Sequence, residues 1–350
     1  MKIYLSSVLC LLIFFSCKEN KISIISSFNK IENLNHTPIK LKNDSLFSKV
    51  FKIYCIDNYL IAYDVDGEFI FSITDLNKEI MLSKFGKLGQ GPNEILGMPT
   101  TTSMVDKNTI SFFEPNKSIL YTINFENLTN PLCREELSVK GIDIIMTLTP
   151  LSSDLFVATG IFEQGRYLLL DKEGKVISYN FDYPSFTNEE MFTNAHKAMA
   201  FQGKLAVRPD GKRFFFACED SEIFEIIEIT QNNNLNKIFE FYGELANFKP
   251  EGDGMESVSA AIDRNSKIKF IDSYGTRDYI YLLYANKVIG DNIYDAYLAN
   301  TVLVFDWEGN PVKLLKLNTN VSNIAINEND TYMYAYSNDT EQLIRFKLVM

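Results

Sequence analysis

After Pro38 the chain settles into one pattern: short β-branched and aromatic runs, such as VFKIYCI from Val50 and YIYLLY from Tyr279, separated by clusters of Gly, Asn, Asp and Pro. The turn clusters recur at intervals of roughly 8 to 12 residues, the spacing of an all-β sandwich, barrel or propeller. No stretch keeps a helical period beyond about three turns. The best helical candidate is TNEEMFTNAHKAMA, Thr187 to Ala200, in which Thr187 and Glu190 stand at capping-box spacing.

The turns carry an internal signature. YDVDGEFIF from Tyr63, LDKEGKVIS from Leu170 and FDWEGNPVK from Phe305 each place an acidic residue and Gly between two strand-like runs, and VRPDGKRFF from Val207 is a fourth relative. Gly accepts the positive φ of a tight hairpin, so these read as four copies of one outer hairpin. Counting from them gives six sheet units, near residues 46–84, 98–138, 142–183, 198–243, 260–318 and 321–350. The last has only three strand-like runs. A four-stranded blade left one strand short exposes an edge, which predicts that the piece around Ile39 to Leu41 completes it from the other end of the chain. The fold expected is an all-β, six-bladed β-propeller of four-stranded antiparallel blades, closed by an N-terminal strand. A seven-bladed ring is its nearest rival.

The start of the chain is different in kind. MKIYLSSVLCLLIFFSC has a basic residue, Lys2, an apolar run from Val8 to Phe15 and a small residue, Ser16, before Cys17. The run is shorter than the ~20 residues a spanning helix needs and reads as a secretory signal. FFSC resembles a bacterial lipobox, which implies cleavage before Cys17 and lipid on its sulfur. The domain reading is therefore a lipoprotein signal peptide over 1–16, a lipidated tether over 17–30 and the propeller over 31–350. Cys55, Cys133 and Cys218 are widely spaced, with no CxxC pair, and read as buried free thiols rather than a zinc or redox site; the alternative is one disulfide that leaves a third thiol alone. With 34 basic and 45 acidic residues the net charge is -11, a surface that repels a polyanion; nucleic acid is excluded as a partner.

Between the first and second units lies FGKLGQGPNEI, Phe85 to Ile95, with three glycines and Pro92. A phosphate-binding loop needs consecutive amides at a helix start, and Pro92 removes one, so this loop reads as a shaped joint between sheets whose Gln90, Asn93 and Glu94 bond neighbouring loops or a ligand. Together with VRPDGKRFFF, TRDYIYLLY (Thr276 to Tyr284) and VFDWEGNPVKLLKL (Val304 to Leu317), GQGPNE resembles the TolB-like six-bladed β-propeller lipoproteins common in gut and oral Bacteroidetes. The resemblance covers essentially the whole mature chain. It implies the fold and a place on the bacterial outer membrane, lipid-anchored on its periplasmic or cell-surface face, and brings no established reaction.

Candidate chemistry is sparse. Two histidines, His36 and His196, exclude a multi-histidine metal centre within one chain, and no GxSxG elbow is present. The DxDG and DxEG turns lack the further ligands of a calcium loop, and the acidic loop EGDGMES (Glu251 to Ser257) reads as solvated. No catalytic residue, metal or cofactor is assigned. The candidate binding residues are Gln90, Asn93, Glu94, His196, Arg277 and Asp278, with Tyr274, Tyr279, Tyr294 and Tyr297 as rings able to stack on sugars or peptide side chains. The function expected is a cell-envelope lipoprotein that binds a glycan, peptide or envelope protein without turning it over. The alternative is a propeller hydrolase or lyase acting on extracellular glycan or peptide through carboxylates or His196.

Overall fold

The computed structural model describes residues 22–42, 47–89, 94–95, 101–129, 131–142, 144–186, 189–252 and 258–350. Antiparallel sheets over 50–87, 101–138, 145–180, 203–242, 267–321 and 323–347 form six successive blades. The first strand of every blade contributes to the wall of a single cavity, so the first strands line a central channel and later strands lie outward. The ring has six blades, and the seven-bladed rival is set aside. A separate hairpin, Phe248–Gly252 with Val258–Ile262, is inserted between blades four and five.

Sequence pattern follows position in the blade. The middle strands Tyr59–Asp64 and Phe69–Asp75 are buried along nearly their whole length. Each is sandwiched between neighbouring blades and is therefore apolar on both faces, without alternation. The outer strands Ile80–Lys87 and Leu235–Tyr242 meet solvent, and their burial is broken along the strand.

The four acidic-Gly turns are not copies of one hairpin. Those after Asp171 and Asp306 join the third strand to the outer one in blades three and five, that at 208–212 joins the first two strands of blade four, and that at 65–68 joins the middle strands of blade one. What they share is local. Asp171 Oδ1 accepts from the backbone N–H of Glu173 and Lys175, both at 2.9 Å, and Asp306 Oδ1 from Glu308 and Asn310 at 3.0 and 2.8 Å. Gly174, Gly211 and Gly309 take the positive φ, whereas Gly67 does not. A side chain that bonds its own backbone two residues on makes a tight turn wherever strands reverse, so the motif marks a reversal and not a place in the blade.

Since strands alternate in direction, first-to-second and third-to-fourth turns fall on one face of the ring, here the base face. Second-to-third turns and the crossings between blades fall on the other, the mouth face.

Closure is by the N-terminal segment, as the three-stranded last unit requires: His36–Ile39 pairs antiparallel with Gln342–Lys347 as the outer strand of blade six. The segment does more than this. Ile31–Leu34 pairs parallel with Pro311–Val321, adding a fifth strand to blade five, so one extended run straddles two blades. Residues 24–28, placed by sequence within the tether, also pack on the ring. Ile24 and Phe28 are buried among residues of blades four and five, with Phe28 edge-on to Phe305 at 4.9 Å.

The helix between blades three and four is shorter than expected, Asn194–Ala200, and Thr193 caps it reciprocally with His196. Thr187 lies outside the described residues. Cys55 and Cys218 are buried free thiols, whereas Cys133 is exposed because it lies on the outer strand of blade two. Among the described residues no helix is long and apolar enough to cross a membrane.

Candidate functional site

The channel holds a cavity of about 1260 Å³. Its lining draws on Asp66, Tyr294 and Asp339 in second-to-third connections and on Ala198 in a crossing, so it opens on the mouth face.

Two ion pairs stand in its wall, both with their lysine on a first strand. Lys52 Nζ donates to Asp272 Oδ1 at 2.5 Å and to the Ser273 carbonyl at 2.6 Å, while Asp272 Oδ2 accepts from the Ile324 N–H at 2.8 Å. The ammonium lies 5.8 Å from the Tyr54 ring centroid and 5.6 Å from that of Tyr274, within cation–π range. Burial pulls the Lys52 pKa below its ordinary value; Asp272 opposes this and the nearby Lys204 adds to it.

Lys204 Nζ donates to Glu219 Oε2 at 2.8 Å, and the Tyr297 hydroxyl donates to the other oxygen of that carboxylate. Burial disfavours both charges, but their mutual attraction wins, holding the Lys204 pKa above and the Glu219 pKa below the usual values. Asp220, the next residue, has no such partner. Burial and the charge of Glu219 push it up to about 7, against a smaller opposing effect of Lys204.

A side lobe reaches between blades three and four to Arg166. Its guanidinium is stacked 4.4 Å from the Phe216 ring centroid, and Nη1 donates to Glu225 Oε2 at 2.6 Å. Glu225 also accepts from the Tyr167 and Tyr242 hydroxyls and from Lys237 Nζ, the last at 2.8 Å.

The residues singled out from sequence are scattered by this geometry. Tyr274, Tyr294 and Tyr297 line the cavity, and Tyr279 does not. Arg277 and Asp278 sit in the first-to-second turn of blade five, on the base face, bonded to each other at 3.1 Å and largely exposed. The strand entry that carries them is the end of the channel opposite the cavity mouth. His196 is 4% exposed, with Nδ1 against the Thr193 hydroxyl at 2.9 Å and Nε2 against the Glu251 carbonyl at 3.1 Å; it fastens the helix to the inserted hairpin. Glu94 belongs to the joint between blades one and two, where its carboxylate lies over Gly89 so closely that a Cβ there would meet it at 2.0 Å. Gln90, Asn93 and Cys17 lie outside the described residues, as does the 253–257 part of the acidic loop.

Sequence reading missed Lys52, Lys204, Glu219 and Asp272. A signal was present for Lys52, the one charge in the otherwise apolar first strand VFKIYCI, and a weaker one for Asp272, which shares its strand KIKFIDSYG with Lys267 and Lys269. A charge in such a run faces either a partner or the channel.

These features define a six-bladed β-propeller with a charged, tyrosine-walled cavity at one end of its channel. The sequence profile of the family described as TolB-like 6-blade propeller-like matches residues 27–329, and the chain belongs to that family. No curated protein matches the chain in sequence. Among solved structures, a member of the DUF4221 family from Bacteroides vulgatus is similar over 94% of this chain and 98% of its own, at 11% identity and a TM-score of 0.55. Chaetomium thermophilum Raptor is similar over 91% of this chain, at 11% identity and a TM-score of 0.52, and this chain covers 29% of its length. Both are likenesses of fold.

Proposed function

We propose that the protein is a lipid-anchored component of the cell envelope, held on the outer membrane through Cys17, whose ring binds a peptide or glycan in the channel cavity without transforming it. The observation that carries the binding half is the cavity itself, where two ion pairs and five tyrosines, Tyr54, Tyr183, Tyr274, Tyr294 and Tyr297, share one concave wall. A pocket with a few convergent polar groups on an aromatic lining recognises ligands that offer both hydrogen-bonding groups and flat apolar faces. Peptides and sugars are of that kind. The anchor rests on the lipobox at Phe14 to Cys17.

The soluble chain beginning at Lys21, titrated calorimetrically with short peptides and envelope glycans, is expected to bind a member of one panel. Lys204→Gln weakens that binding by about tenfold, the worth of one charge-assisted hydrogen bond, and Arg277→Ala on the base face leaves it unchanged. Failure of both panels, or equal affinity for Lys204→Gln, defeats the reading.

A second reading, catalysis, starts from Glu219 in the cavity wall and its chain neighbour Asp220, which is not part of the lining. Glu219 and Asp220 are adjacent carboxylates, the first pushed down and the second pushed up to about 7, the separation that lets one carboxyl donate a proton while another stays ionised. If the protein is a hydrolase or lyase, turnover of a bound glycan or peptide falls as pH rises through about 7, where a proton-donating Asp220 ionises, and Asp220→Asn abolishes it. Binding without turnover in both proteins decides for the first reading.

A further inference from the structure

Resting on the lipid anchor proposed at Cys17, we infer that the ring lies with its mouth face against the bilayer, so that the cavity is filled from the membrane side.

Three observations meet here. The first is where the leash leaves the ring. Ser23 Oγ donates to Glu222 Oε1 at 2.9 Å, and Glu222 belongs to the same second-to-third turn of blade four as the cavity residue Glu219. The N-terminal segment therefore departs from the mouth face.

The second is length. Five Cα–Cα steps, across four intervening residues, separate Cys17 from Ile22, where the described body begins. Even fully extended they span roughly 18 Å. A leash of that reach, attached on one face, holds that face toward the lipid and does not let the ring turn over.

The third is what the two faces expose. On the mouth face, Ile144, Met191 and Tyr294 are 62%, 61% and 71% exposed, and Ile293 is exposed in the same connection as Tyr294; the leash residue Ile22 is exposed too. Lys49 lies 5.9 Å from the Tyr294 ring centroid, a cation and an aromatic ring of the kind that sits at headgroup level. On the base face the six first-to-second turns, at 57–58, 107–108, 153–154, 208–212, 276–278 and 327–331, contain no large apolar residue. The base face does expose Val176 beside a third-to-fourth turn and Val349 and Met350 at the C-terminal end, but the mouth face carries its exposed large apolar side chains in the connections around the cavity rim, where a membrane surface would meet them.

A ligand entering the cavity then comes from the bilayer surface: the exposed part of a molecule itself held in the membrane, or one small enough to pass under the rim.

The test uses the full lipidated chain in vesicles of phosphatidylethanolamine and phosphatidylglycerol that carry a nitroxide quencher on a lipid headgroup. In a Cys133→Ser background, Tyr294→Cys and Arg277→Cys are each labelled with a small fluorophore; both sites are exposed, so neither substitution touches the core. The label at 294 is expected to be quenched several-fold more than the label at 277. Equal quenching, or stronger quenching at 277, overturns the inference even if the protein floats with the vesicles. If it does not float, or if Cys17→Ala floats equally well, the anchor falls and the inference with it. A ring held on its side by a protein partner would quench both labels alike, which counts against the proposal.

Discussion

Removing residues 22–39 leaves a chain that does not fold cooperatively. The segment buries Ile24, Phe28, Leu34 and Ile39. At about 1.5–3 kcal/mol for each buried large apolar side chain this amounts to roughly 6–12 kcal/mol, against a typical domain stability of about 5–15 kcal/mol. The loss is not confined to packing. Without Ile31–Leu34 and His36–Ile39, the strands Pro311–Val321 and Gln342–Lys347 become open sheet edges, and blade six is left with three strands. Unpaired edges of this kind seed pairing with other chains. A chain starting at Lys40 is expected in the insoluble fraction, or in solution without a sigmoidal urea transition, whereas one starting at Lys21 unfolds as the mature protein does. A synthetic peptide of residues 22–40 supplied during refolding restores the transition. A cooperative transition in the shortened chain alone, at a urea midpoint close to that of the mature protein, would show that the ring closes without its N-terminal strand.

Glu225→Ala is expected to cost about 3–5 kcal/mol, the range found when one partner of a buried ion pair is deleted. Glu225 is wholly buried and serves four donors at once, Arg166, Tyr167, Tyr242 and Lys237. Its removal leaves the guanidinium of Arg166, itself 2% exposed, with no counter-charge in contact. Glu225→Gln, which keeps an acceptor but not the charge, is expected to fall between wild type and alanine.

The pH dependence has a definite sign. Burial opposes the charge on Glu225, but Arg166 and Lys237 outweigh it, so the folded-state pKa lies below the unfolded one. The stabilisation is therefore fully present above the ordinary carboxylate pKa of about 4.3 and fades as pH falls through the depressed folded value. Urea unfolding of wild type and Glu225→Gln should differ most at neutral pH and converge in acid. A gap that stays constant down to the acid limit of folding would show that the charge is not what Glu225 contributes.

Much of this architecture is legible from one sequence. The six units, the missing strand of the last and its completion by residues near Ile39 all follow from strand-length runs, turn residues and the cost of an open edge. These are local signals, each carried by a few neighbouring residues. The same locality explains the misreading of the acidic-Gly turns: Asp171 and Asp306 bond only their own backbone, so their chemistry reports a reversal and is silent on which pair of strands reverses.

The site is another matter. Lys52 and Asp272 are 220 residues apart and meet because blades one and five both send their first strands to the channel. No turn preference or hydrophobic period encodes that meeting. Which of four nearby tyrosines faces the cavity, and whether Arg277 stands at its mouth or its base, depends on strand register and on the alternation of turns between two faces, where a shift of one residue reverses the answer. The amino-acid sequence by itself determined the blade type, a count of six with seven as its rival, and the strand that completes the last blade, since each is set by contacts close along the chain or by a single edge in need of a partner. Only the closed ring decided the cavity, its paired charges and the two unlike faces, because these join residues whose nearness exists nowhere but in the circle.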